Sequence, residues 1–146
     1  MRIVVDADGC PVVERTIAVA AEYGVPVLLV CDTAHEFSRA GAETLLVSQG
    51  PDSADFAIVN RLSPGDIVVT QDMGLAAMCL ARRARPLRQD GMVIGDDNID
   101  ALLETRDLAR RVRAAGGRTK GPPKRSPQQD RDFEAALRRL LAAGDK

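Results

Sequence analysis

Residues 3–11 read I-V-V-D-A-D-G-C-P, and the fold follows from how that stretch is read. Three β-branched residues in succession favour a strand over a helix turn. Asp6 and Asp8 then leave its carboxyl end, Gly9 permits a tight turn, and Pro11 suits the first position of a helix. An apolar run without polar alternation, passing directly into loop and helix, is the mark of a parallel sheet covered on both faces. The two carboxylates at its end need a separate, chemical explanation.

The same grammar repeats along the chain. Apolar runs at residues 2–5, 25–30, 44–47 and 66–70 (D-I-V-V-T) read as strands, with a short last one at 92–94. Between them, helical spacing runs from Pro11 to the Gly24 stop, with Val13, Ile17, Ala20 and Ala21 as its stripe. It returns after Q-G-P-D-S-A-D, through G-L-A-A-M-C-L-A-R-R, and over about residues 97–115 with Leu102, Leu103, Leu108 and Val112 apolar. The expected class is α/β, a Rossmann-like three-layer domain with a mostly parallel central sheet over residues 1–116. Residues 117–146 form a basic Gly/Pro-rich arm and an amphipathic helix at about 128–141. Its Phe133, Leu137, Leu140 and Leu141 would dock on the same domain.

Totals exclude several functions. At 146 residues one core suffices. No segment resembles a signal peptide and no apolar run approaches a membrane span, so a soluble cytoplasmic protein without a membrane partner is expected. Three scattered cysteines (Cys10, Cys31, Cys79) and a single histidine, His35, offer neither a disulfide framework, nor a zinc site, nor a thiol or serine triad. The net charge of −1 hides a split. Residues 1–105 hold 8 basic and 16 acidic side chains, whereas residues 106–146 hold 12 basic and 5 acidic.

Ligands of open α/β sheets bind beyond the carboxyl ends of the strands, and the acids collect there. Asp6 and Asp8 follow the first strand, Asp52 and Asp55 the third, Asp72 the fourth, and Asp96 and Asp97 the supposed fifth. Like charges held together are costly unless a cation compensates, which points to Mg²⁺ or Mn²⁺. The competing explanation is helix capping: Asp52 with Asp55 resembles a capping box, and Asp72 suits an N-cap.

Three functions are carried forward. In the first, a PIN/NYN-like metal-dependent ribonuclease or phosphodiesterase, Asp6, Asp55 and Asp72 ligate metal and Asp8 and Asp52 ligate or orient water. Gly9 and Gly74 admit a phosphate, and Thr70 or Gln71 hydrogen-bonds it. Arg118, Lys120 and Lys124 hold the nucleic-acid backbone, RNA being favoured; aromatic residues are too few for much stacking. In the second, V-V-D-A-D-G resembles the nucleophile loop of haloacid-dehalogenase phosphatases, with Asp6 attacking phosphorus. The lysine of that pattern is missing between Thr70 and Gly95. In the third, a non-catalytic nucleic-acid- or partner-binding module, the acids only cap helices. A homodimer is compatible with each.

Four separated motifs, V-V-D-A-D-G-C-P-V, S-Q-G-P-D-S-A-D-F-A-I-V-N, G-D-I-V-V-T-Q-D-M-G-L-A and R-T-K-G-P-P-K, resemble the YaiI/YqxD family of bacterial proteins across essentially the whole chain. That family is of unassigned function. The resemblance implies a PIN-like fold and leaves the activity open.

Overall fold

The computed structural model describes residues 1–32, 38–50, 52–117 and 124–144. Five strands, β1 (Ile3–Asp6), β2 (Val27–Asp32), β3 (Glu43–Val47), β4 (Ile67–Val69) and β5 (Arg85–Leu87), form one sheet in the order β3-β2-β1-β4-β5. Every neighbouring pair is parallel. Five helices accompany them among the described residues: α1 (Val13–Tyr23), α2 (Ser53–Asn60), α3 (Met73–Ala81), α4 (Ile99–Ala114) and α5 (Pro127–Ala143).

The pleat divides the core in two, because successive strand residues face opposite sides of the sheet. Ile3, Val5, Leu29, Cys31, Ile67 and Val69 pack against Val13, Val19 and Ala20 of α1 and Phe133, Leu137 and Leu141 of α5. Val4, Leu28, Val30 and Val68 meet Ile58 of α2 and Leu75 and Cys79 of α3 on the other face. Each such buried aliphatic side chain is worth roughly 1.5–3 kcal/mol, which is why these strands carry no polar alternation. A third cluster seats Ile99 of α4 on Met73 and Ala76 of α3.

The α/β class and the layered, parallel arrangement hold, and the differences from the sequence reading are local. The fifth strand is not at 92–94 but at Arg85–Leu87, a three-residue R-P-L edge strand. Proline lacks a ladder donor and is tolerated only at such an edge. Arg85 turns its guanidinium away, donating to the Gly65 and Leu140 carbonyls. Val93 contributes one antiparallel bridge to Leu87. Asp96 and Asp97 therefore follow no strand end; they precede α4. The α1 helix begins at Val13 instead of Pro11, and its buried face is Val13, Thr16, Val19 and Ala20, with Ala21 exposed. Leu108 and Val112, expected on the packed face of α4, are exposed.

The C-terminal helix is anchored as its stripe requires. Ser126 and Gln129 form a reciprocal capping box at its start, and Pro127 occupies the first turn. Gly91, at φ +93°, lets the loop after β5 press onto this helix, where a Cβ would sit 2.6 Å from the Asp132 carbonyl oxygen.

Candidate active site

The strand order reverses between β1 and β4, since β1 leads through α1 to β2 on one side and β4 through α3 to β5 on the other. At such a switch point the connecting loops diverge and open a crevice at the carboxyl edge. Asp6 ends β1 here, and Thr70, Gln71 and Asp72 leave β4 beside it.

A short relay joins the two loops. The buried Thr70 hydroxyl donates to Asp6 Oδ2 at 3.0 Å and accepts from the Asp72 backbone N–H at 3.0 Å. Its single proton is thus held inside the protein, and Thr70 positions the two acids. Asp72 Oδ1 accepts from the N–H groups of Gly74 (2.8 Å) and Leu75 (3.2 Å), so it caps α3. Asp52, in contrast, stands at the start of α2 without a side-chain cap bond and in left-handed backbone, φ 63°. The capping explanation therefore fits Asp72 and not Asp52.

Electrostatics sets Asp6 apart. Burial pushes its carboxyl up to about 6, the Thr70 hydrogen bond pulls it down, and Asp55, Asp72 and Asp8 each push it further up. Asp55, on the first turn of α2, is also raised, first by burial and then by Asp72 and Asp52, with Arg106 opposing. Asp66 shows what a purely structural acid looks like in this fold. At the opposite edge of the sheet, it is buried and accepts from the backbone N–H groups of Arg2 and Ser63, with the Arg2 guanidinium 3.8 Å away. Asp8 makes a structural bond as well. Its Oδ2 accepts the Asp32 N–H at 3.0 Å, which ties the β1 loop to the end of β2.

Asp52, Asp55 and Asp72 line one open cleft of about 260 Å³ together with Gly74, Arg106 and Phe56. Gly74 is where the Arg106 guanidinium passes; a Cβ there would lie 2.7 Å from it. Arg106 Nη2 stands 3.9 Å from Asp72 Oδ1. Gly9 (φ +70°) has open space where a side chain would go, and with Gln71 it lines a second cleft of about 480 Å³. Gln71 Oε1 accepts the Gln89 N–H there, and Arg125 donates to the Gln89 carbonyl. The sheet edge thus brings Asp6, Asp8, Asp55 and Asp72 into one electrostatic neighbourhood. Lys124 is exposed; Arg118 and Lys120, like His35, lie outside the described residues.

Sequence reasoning misses two residues at this edge. Arg106 counts there only as part of the basic end, because it comes 34 positions after Asp72 and no local pattern links them. Phe56 is given no role there, and it is 61% exposed. Ile58 supplies the missing signal: two residues apart on a helix means nearly opposite faces, and Ile58 is the buried one. Cys10 sits close by, but burial pushes its thiol up to about 11, leaving it protonated and unreactive at neutral pH.

Among the described residues no three carboxylate, cysteine or histidine side chains are gathered so as to hold a metal ion, and no helix is long and apolar enough to cross a membrane.

Comparison with known proteins agrees with the sequence motifs. A UPF0178 protein of Exiguobacterium sibiricum is 57% identical over 141 residues, covering 97% of this chain and 96% of that one. A UPF0178 protein of Clostridium acetobutylicum is 44% identical over 146 residues, covering 99% of each. Among solved structures, a mutant of Rae1 (YacP) from Bacillus subtilis aligns over 98% of this chain and 99% of that one at 17% identity. Its TM-score is 0.44, too low a likeness to transfer any property. Residues 4–143 match the family described as "Uncharacterized BCR, YaiI/YqxD family", and with that coverage the chain belongs to it.

Proposed function

We propose that this protein is a divalent-metal-dependent phosphodiesterase of PIN-like type acting on RNA. The observation that carries the reading is Asp6: a partly buried carboxylate at the end of β1, beside the switch point, with three further carboxylates near enough to raise it. Like charges held together there cost stability, and a bound cation would turn that cost into binding free energy. Acids at the end of β1, the start of α2 and the end of β4 are also the three sources that a PIN-like site draws on.

All the donors at this edge are carboxylates, the ligand type of a hard ion. Because no three ligands among the described residues enclose a site, the ion would rest on one or two carboxylates, with water completing its shell. Asp6 and Asp72 are the carboxylates that would hold it, with Asp55 alongside. When bound, Mg²⁺ or Mn²⁺ would supply Lewis-acid stabilisation of phosphate charge and an acidified water. The chain's own residues do the rest. Thr70 fixes Asp6 relative to Asp72, Asp8 and Asp52 orient water, and Gln71 and the open backbone at Gly9 receive phosphate oxygens. Arg106 offsets negative charge at the cleft, and Lys124 with Arg118 and Lys120 would grip the backbone in a salt-sensitive way.

The test is cleavage of end-labelled single-stranded RNA with Mn²⁺. Cleavage is expected, abolished by EDTA and reduced about 10–100-fold by Asp72→Asn, an effect of the size seen when a metal's supporting ligands are altered. Cleavage that persists in EDTA, or that survives Asp72→Asn unchanged, would remove the reading.

A further inference from the structure

We propose that Phe56 is the platform on which an unpaired base of the substrate strand stacks; this deepens, and rests on, the phosphodiesterase reading. A phenylalanine left 61% exposed beside a carboxylate cluster is out of keeping with the rest of this core, where Phe133 is fully buried. Ile58 holds α2 against the sheet, so Phe56 is fixed on the outer side of a rigid helix. It lines the same cleft as Asp55, Asp72 and Arg106, with Met78 adding a soft apolar wall.

The composition of that cleft matches a nucleotide better than a protein partner. An aromatic face and a thioether suit a flat base, a guanidinium suits a phosphate, and the carboxylates stand where the metal would meet that phosphate. At about 260 Å³ it is of a size for one nucleotide. The β4–α3 loop adds a second observation. Asp72 and Gly74 line the Phe56 cleft, while Gln71 and Met73, alternating with them, line the larger cleft with Gly9, Arg88 and Arg125. A strand crossing this loop at Asp72 has room for a nucleotide on either side. A paired base cannot present its face to Phe56, because its neighbours in the helix already cover it.

The chain contains no tryptophan, so Phe56→Trp introduces a single tryptophan at the site, whose emission can be excited apart from that of Tyr23. Titration with single-stranded oligoadenylate, with Ca²⁺ in place of Mn²⁺ to suppress cleavage, should quench it. The same oligoadenylate paired with oligouridylate should not. Phe56→Ala should bind the single strand about ten-fold more weakly than the parent, as expected for the loss of one stacking aromatic. Absence of quenching, equal quenching by the duplex, or unchanged binding by Phe56→Ala overturns the assignment. If Mn²⁺-dependent cleavage is intact when that happens, the phosphodiesterase reading stands without it. Quenching by the single strand in a protein that never cleaves RNA would instead support the stacking site and remove the catalytic reading.

Discussion

Replacing Asp6 with asparagine is expected to abolish metal-dependent cleavage and, at the same pH, to make the protein more stable. The carboxyl of Asp6 is pushed from 3.8 up to about 6 in the folded protein, chiefly by burial and then by its acidic neighbours. A raised carboxyl means that the folded chain binds a proton more readily than the unfolded chain between about pH 4 and 6. Stability therefore falls as pH rises through that window, and above about pH 6 the full penalty is present. A shift of this size corresponds to about 2–3 kcal/mol. Asparagine keeps an oxygen to accept the Thr70 proton but carries no charge. Its thermal midpoint should exceed the parent's at about pH 7.5, and the advantage should vanish near pH 4. Activity should fall at least about 100-fold. A variant no more stable than the parent at neutral pH would mean that the charge on Asp6 costs the fold nothing. Adding Mn²⁺ should stabilise the parent and close much of the gap. An ion at a hundred times its dissociation constant contributes about 2.7 kcal/mol.

Phe133→Ala is expected to lower stability by about 3–5 kcal/mol, the usual loss when a buried aromatic is cut back and a cavity remains. Phe133 is fully buried and shares a cluster with Ile3, Val5 and Ile67 of the central strands. The α5 helix is therefore part of the core, although a basic Gly/Pro-rich stretch precedes it. A urea melt monitored by circular dichroism should show one transition at a clearly lower midpoint. A shift below about 1 kcal/mol would mean that α5 contributes little to the fold, since surface changes fall in that range.

How much of this is legible in the sequence depends on the kind of signal. The strands β1, β2 and β4 are continuous apolar runs because both of their faces are buried, and burial on both faces is what a sequence displays most plainly. The edge strand β5 shows the opposite. With three residues, one of them Pro86 and another Arg85, it has neither length nor pattern, and the apolar Met92–Val93–Ile94 run nearby looks more like a strand than it does. The strand order is a long-range property, so nothing local tells that Asp6 and Asp72 meet at the reversal between β1 and β4. That the acids gather at the carboxyl edge follows from chain direction alone. Which of them serve as caps does not, because Asp52 and Asp72 occupy equivalent positions before their helices and only the backbone at Asp52, in left-handed conformation, separates them. Arg106 and Phe56 are hidden for related reasons: one arrives from a distant helix, and the other is an apolar residue on a wet face.

Asp6 and Asp72 together are expected to hold a divalent ion, and calorimetric titration with Mn²⁺ tests this most directly. The Asp6→Asn, Asp72→Asn double variant is a fair comparison, since asparagine preserves both the Thr70 hydrogen bond and the cap on α3. The parent should show a saturable Mn²⁺ site, and the double variant should bind at least about ten-fold more weakly. Equal Mn²⁺ affinity in the two proteins would contradict a metal site built on these carboxylates.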